Sequence, residues 1–291
     1  MKFQFLARVA ALAAATALGC GVVLPGAEPS PAAQASAAQT TVQPAGDGAL
    51  EAYIHSGWDR LSRSTADCAS VVDPKVRTEP VLYLPAALPL PAAVSALQKA
   101  CHVRVERLPR VIHRLGEVRP EELANEGLLY LPHRYVVPGG RFNEMYGWDS
   151  YFILLGLLHD GHDDVARGMV ENFFFEIQNY GALLNANRTY FLTRSQPPLL
   201  SSMIRDVFEH ASSAPGMTPL PQGWLAKAYD MAERDHALWT SPGHALGNTG
   251  LARYHDLGAG PVPEMADDSS YYPDVIRWLL CLLYTSPSPR D

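Results

Sequence analysis

The feature that most constrains this chain is a glycine turn that feeds a dense polar and aromatic cluster directly into an apolar run. The turn is Pro138, Gly139 and Gly140, and two adjacent glycines there predict backbone placed where a residue lacking Cβ sits easily. Out of it come Arg141, Phe142, Glu144, Tyr146, Trp148, Asp149 and Tyr151. The following run, Tyr151–Leu158, is apolar on every side, which predicts a buried helix. A polar and aromatic cluster at the mouth of a buried element has the composition of a ligand site.

Helical periodicity continues downstream. Gly161 is placed to end the first helix, and Asp163 or Asp164 to cap the next. In that second helix Val165, Met169, Phe173 and Ile177 recur every four residues, Ala166, Val170 and Phe174 widen the face, and Gly181 closes it. Pro197 and Pro198 open a third helix with Leu200, Ile204, Val207 and Phe208 on its apolar side, and a fourth spans Trp224–Trp239. Upstream, Tyr53, Trp58 and Leu61 share one face of a helix running from Leu50 to about Ser64. Val81–Leu84 is a short extended run, and Ala92–Cys101 another helix. Strand alternation is weak throughout. Short turns between successive helices predict an all-α fold of stacked helical hairpins: a bundle, a solenoid or a toroid.

Composition narrows the partners. The 291 residues are 47% hydrophobic and 18% charged, with a formal charge of −7, which argues against a nucleic-acid binder and fits either a neutral substrate or a charge that simply solubilises. Lys2, Arg8 and the apolar Val9–Leu18 run predict a signal peptide over residues 1–37, cleaved after the small residues Ala35, Ser36 and Ala37. A lipid anchor at Cys20 is the rival reading. Either way the expectation is export, to a bacterial periplasm, without stable membrane insertion once the signal is removed. Residues 38–49 read as a disordered linker, 50–280 as the folded part. An oxidising compartment permits a disulfide between Cys68 and Cys101; two buried thiols are the alternative. Oligomeric state stays open.

Several chemistries lack their residues. There is no Gly-x-Ser-x-Gly nucleophile turn, no His-Glu-x-x-His pair and no phosphate-binding glycine loop. His159 and His162 flank a helix end that Asp160 and Gly161 already explain. Glycoside hydrolysis needs two carboxyl groups, and Glu144 and Asp149 are the local pair, with the alternative that both merely orient Arg141. A second dense stretch, Asn185–Pro198, lies between helices and holds Asn187, Arg188, Arg194 and Gln196. Amide and guanidinium donors of this kind bridge vicinal hydroxyls, although a loop whose arginines tie down helix carbonyls has the same composition.

Taken together, and in this order and spacing, Pro138–Tyr151 and Asn185–Pro198 resemble the signatures of the trehalases, glycoside hydrolase family 37. The resemblance runs from about Trp58 to Leu280 and includes the Gly250–Tyr254 loop. It implies an (α/α)6 toroid, a site without metal or other cofactor, and hydrolysis of α,α-trehalose to two glucose molecules with inversion. By resemblance, Arg141, Phe142, Trp148 and Asp149 line the sugar pocket, Asn185 and Arg194 hold sugar hydroxyls, and Gln196 lies beside them. Glu264 matches a further sugar contact, but Val262 stands where the family pattern has arginine. On this mapping Asp149 binds substrate and is not the general acid.

The family's general acid, in a Ser-Gly-(Trp/Phe)-Asp stretch, and its general base, near a Gln-Trp-Asp-x-Pro signature, find no match here. Both are expected beyond the end of the chain. Residues 281–291, with Pro287 and Pro289 two apart, cannot continue a helix begun at Pro273 and read as a foreign tail. The expectation is therefore the N-terminal part of a trehalase catalytic domain. A non-catalytic sugar-binding protein, or another toroidal glycosidase or polysaccharide lyase, is the alternative.

Overall fold

The structure, a computed structural model, describes residues 47–73, 79–213, 219–260, 275–278 and 280. The expected leader, Cys20, Glu264 and the expected tail lie outside them. The end of the expected linker does not, because Asp47 to Ala49 already belong to a helix. In chain order the elements are α1 (Asp47–Leu61), β1 (Ser62–Arg63), α2 (Cys68–Val71), β2 (Val81–Leu84), α3 (Ala92–Cys101) and β3 (Arg104–Arg107). They continue with β4 (Leu128–Leu129), β5 (Tyr135–Val136), α4 (Asp149–His159), α5 (Asp163–Asn179), α6 (Leu200–Ser213) and α7 (Trp224–Trp239). Short 3₁₀ turns lie at Pro120–Glu122 and Thr189–Phe191.

The molecule is helix-rich, and α5 is the axis of its main core. Ala166, Met169, Val170, Phe173, Phe174 and Ile177 are all essentially inaccessible, so the periodic face read from the sequence is the buried one. It packs with Leu154 and Leu157 of α4, Met203 and Val207 of α6, and Trp224 and Met231 of α7. Each fully buried side chain of this size contributes roughly 1.5–3 kcal/mol. The α4–α5 connection is a Schellman turn: the His162 amide donates to Leu157 O at 2.8 Å, and Gly161 takes φ +77°. The residue before α5 is His162. Asp163 and Asp164 therefore sit in the first turn, where their charge favours the helix N-terminus, and neither caps it.

Other expectations shift in detail. α4 is not buried all round: Phe152 is 57% and Leu155 42% exposed, because α5 and α6 cover only one side of it. An all-apolar run cannot show which face is covered. In α1, Trp58 and Leu61 pack on the main core, and the Trp58 indole donates to Asp160 Oδ2 at 2.6 Å, but Tyr53 is exposed. Neither Gly139 nor Gly140 has positive φ; the turn closes through an ordinary hydrogen bond from the Phe142 amide to Gly139 O at 3.0 Å.

A small parallel sheet, ordered β3-β2-β4, is the addition that periodicity did not reveal. β2, α3 and β3 form a β-α-β unit with Val81 opposite Arg104 and Leu84 opposite Arg107. Leu82 and Leu84 face Val94, Leu97 and Val103, while Val81 and Tyr83 face Leu108, Ile112, Leu129 and Tyr180 on the other side. Both faces are covered, so the strand reads as a continuous apolar run. Cys68 and Cys101 are disulfide-bonded, with Cα atoms 5.8 Å apart, and so link α2 to the last residue of α3. Closing a loop of that sequence separation, 33, stabilises by on the order of 3–4 kcal/mol in the chain-entropy model. β1 pairs antiparallel with β5, which brings the end of α1 beside the approach to the polar cluster.

Candidate functional site

The two dense stretches meet. Asn185–Arg188 runs as an extended segment between β4 and the cluster, with antiparallel bridges from Leu128 to Arg188 and from Tyr146 to Ala186. Asn187 is fully buried and clamps both sides. Its Oδ1 accepts the Met145 amide at 2.7 Å, and its Nδ2 donates to Leu129 O at 2.9 Å. The Gly147 amide donates to Asn185 O at 3.0 Å, and the Asn185 amide to Arg194 O at 2.9 Å. Gln196 completes the junction: its Oε1 accepts the Trp148 amide at 2.6 Å. A Cβ at Gly147 would lie 2.9 Å from both Gln196 Oε1 and a Leu183 methyl, so a side chain there would have to shift both groups.

The expected site residues divide accordingly. Trp148, Asn185, Arg194 and Gln196 are joined directly by these hydrogen bonds. Asp149 is the first residue of α4, next to Trp148, and burial raises its carboxyl above the ordinary value while its own amide opposes that rise. Among the described residues no cation pairs with Asp149. Phe142 lies edge-on to Tyr146 at 5.4 Å, Tyr146 edge-on to Phe191 at 6.3 Å, and the exposed Arg141 guanidinium sits 5.3 Å from the Phe142 ring. Trp148 is 45% exposed and meets the Phe152 ring edge-on at 6.0 Å. Glu264 lies outside the described residues.

Glu144 does something different. Its carboxylate is buried, accepts the Asn143 amide at 3.0 Å, and receives Arg188 Nε at 2.6 Å. Arg188 Nη2 also reaches Asp73 Oδ2 at 3.2 Å. Burial works against the charge of this guanidinium, but Glu144 and then Tyr190 and Asp73 outweigh it, so its pKa is held above the ordinary value. The arginine that Glu144 orients is thus Arg188, not Arg141. Neither expected arginine ties down a helix: Arg194 donates to Gly260 O at 2.6 Å and lies 3.6 Å from Asp256.

Two residues at this junction went unread in the sequence. Asp256 Oδ1 accepts the Ser195 amide at 3.1 Å, and the Tyr254 hydroxyl donates to Ser195 O at 2.8 Å, so this loop grips the backbone between Arg194 and Gln196. Tyr254 stood in the loop that carried the resemblance; Asp256, two residues on, had no local pattern to mark it. On its outer side Arg194 lines a cleft of about 380 Å³ with Glu121, Asn125, Tyr190 and Thr193.

The family model described as Trehalase matches residues 47–275. The chain belongs to the trehalase family. A probable trehalase from Eremothecium gossypii is 39% identical over 246 residues, 74% of this chain and 32% of that protein. A cytosolic neutral trehalase from Saccharomyces cerevisiae is 49% identical over 135 residues, 46% of this chain and 18% of that protein. In structure, neutral trehalase Nth1 from Saccharomyces cerevisiae superposes with a TM-score of 0.65 at 34% identity, over 78% of this chain and 46% of that one. The chain thus spans about a third of the first relative's length and under half of the solved structure. Membership explains the helix-rich architecture, since the trehalase fold is a helical toroid; among the described residues the helices do not close a barrel.

Membership in this trehalase group also corrects one expectation. Export to a bacterial periplasm, with anchoring at Cys20 as its variant, is overturned by relatives that are fungal and named cytosolic. That expectation rested on Lys2, Arg8 and the Val9–Leu18 run, a pattern of composition carrying no packing or pairing constraint, and it lies outside the described residues. No helix among the described residues is long and apolar enough to cross a membrane.

Proposed function

We propose that this chain forms the sugar-binding wall of an enzyme that hydrolyses α,α-trehalose to two glucose molecules with inversion. The observation that carries this reading is the junction itself. Trp148, Asn185, Arg194 and Gln196 are locked into one rim by backbone-directed hydrogen bonds, with the Asp149 carboxyl, paired with no cation among the described residues, beside them, in a chain of the trehalase family. In this reading Trp148 offers an apolar face to the pyranose ring, and Asp149 accepts from a pair of hydroxyls. Arg141, Asn185 and Arg194 donate to hydroxyl oxygens, Phe142 lines the floor, and Gln196 holds the Trp148 backbone. Glu264 is assigned a further contact. A neutral substrate suits the negative net charge of −7.

Inversion requires one carboxylic acid to protonate the leaving glycosidic oxygen while a second carboxylate activates water on the opposite face of the ring. The two stand about 6.5–9.5 Å apart to admit that water. Neither role is assigned to a described residue. Glu144 is committed to Arg188, Asp256 to Arg194 and Ser195, and Asp149 is proposed to bind ground-state hydroxyls. The supporting experiment is a trehalose titration of the chain followed by tryptophan fluorescence, together with an assay for released glucose. Saturable quenching that is lost in Asp149→Asn and in Arg194→Gln, with unfolding midpoints unchanged, supports the wall. Unaltered affinity in both variants would falsify it.

A further inference from the structure

The cleft at the end of α7 has a different character from the sugar rim. It encloses about 450 Å³, within the range of small-molecule sites, and its walls are Leu115, Leu238 and Leu257. Its charged lining among the described residues is entirely cationic or imidazole: Arg114 and Arg234 at the rim, His113 beside them, and His244 within. His244 is 2% exposed. Its Nδ1 lies 3.3 Å from Ser241 Oγ, and its Nε2 has no hydrogen-bond partner among the described residues. A buried polar atom left without a partner is costly, so such an atom beside a cavity is a place where a ligand gains by binding.

Two of the cations keep donors available. Arg234 spends one nitrogen on Ile177 O at 2.9 Å, which seals the last turn of α5. The Arg114 side chain is 86% exposed and pairs through Nε with Glu117 Oε1 at 3.1 Å. Glu117 is held on its other oxygen by the His113 amide at 2.7 Å, so it belongs to its own loop and is not among the residues that line the cavity. A sugar does not suit this space, because leucine walls cannot satisfy a polyol's hydroxyls. A hydrocarbon alone leaves His244 Nε2 and the guanidinium donors unused.

We propose that this cleft is a binding site for a small organic carboxylate with a compact apolar body. The body lies against Leu115, Leu238 and Leu257, and the carboxylate is met by donors from His244 Nε2 and the Arg114 and Arg234 guanidinium groups, which line the same cleft. Planar guanidinium groups match a carboxylate better than any other common anion-binding side chain, which favours a carboxylate over a bare halide or a neutral acceptor. The site is separate from the sugar rim and does not depend on the trehalose reading.

The test is a titration of the full chain with 2-naphthoate and its neutral isostere 2-naphthamide, read by calorimetry and by ligand-observed NMR. Saturable naphthoate binding about tenfold tighter than naphthamide is expected, since the charge-assisted bonds are worth about that factor. Arg114→Glu, at an exposed side chain, should weaken naphthoate by about fivefold or more without moving the unfolding transition. Arg114→Gln serves as a milder variant that keeps the loop's shape. Excess trehalose should not displace the probe. Equal affinity for acid and amide, no saturation at millimolar probe, indifference to both Arg114 variants, or displacement by trehalose would each overturn the proposal.

Discussion

Arg188 donates from Nε to Glu144 Oε1 across 2.6 Å, joining positions 44 residues apart in sequence inside the core. With Asp73 as second acceptor, this buried guanidinium ties the segment after α2, the Asn185–Arg188 segment and the backbone just ahead of Trp148 into one unit. The signature glutamate is therefore an organiser of the rim. Its buried carboxylate is engaged by the Arg188 guanidinium and the Asn143 amide, the geometry of a group that positions its neighbours.

Loss of this arginine should be costly. Arg188→Met removes the guanidinium that engages buried Glu144, and about 3–5 kcal/mol of stability should vanish in urea unfolding. The double variant Glu144→Gln with Arg188→Met should recover part of that loss. A single-variant cost below about 1 kcal/mol would show that the triad is peripheral to folding.

Trp148 should behave in the opposite way. Nearly half of it is exposed, so Trp148→Ala should change unfolding free energy by about 1 kcal/mol or less. Its effect on trehalose titration should be about tenfold or more, because aromatic anchors dominate recognition when their face meets the ligand. A large stability loss with unchanged affinity would reverse this assignment.

Asp235 predicts a pH signature. Burial pushes its carboxyl up to about 6, against a weaker opposing hydrogen bond from Trp239. Its folded pKa is raised, so between the ordinary carboxylate range and pH 6 the native state binds more protons than the unfolded chain. Stability should therefore fall as pH rises through that window, by on the order of 2–3 kcal/mol, and stay lower above it. Asp235→Asn should remove this slope and stabilise the protein at pH 7. Glu176, buried with Oε1 unpartnered among the described residues, is shifted the same way and adds to the slope that remains. Chemical unfolding from pH 4 to 8 measures both.

The disulfide should be separable from the rim. Cys68→Ser with Cys101→Ser should lower stability by about 3–4 kcal/mol, while trehalose titration of the folded variant stays unchanged. Under reducing conditions the parent chain should shift to the stability of the double variant. Altered sugar affinity in the oxidised and reduced forms would instead show that the α2 segment reaches the rim through Asp73.

Much of the helical layer was legible because its cues are local. Gly161 and Gly181 stop helices by taking positive φ, and the α5 apolar face repeats within one element. α3 and α7 coincide with their expected bounds for the same reason. The sheet was harder to see, since β2 is covered on both faces and shows no alternation, while β4 and β5 are two residues long. Within the site, residue types in the two dense stretches marked the candidate sugar contacts, and the fold brings those two stretches together. Their partners did not follow from types: nothing near Glu144 in sequence indicates Arg188, and nothing near Ser195 indicates Asp256.

The dividing line is range of interaction. Helix boundaries, apolar faces and the family signatures depend on residues within a few positions of one another, so composition and spacing specify them directly. The covered face of α4, the Cys68–Cys101 link, the Asp73–Arg188–Glu144 triad and the grip of Tyr254 and Asp256 on Ser195 depend on which distant segments come together. Only the folded chain decides these, because burial and hydrogen-bond pairing are properties of neighbours in space.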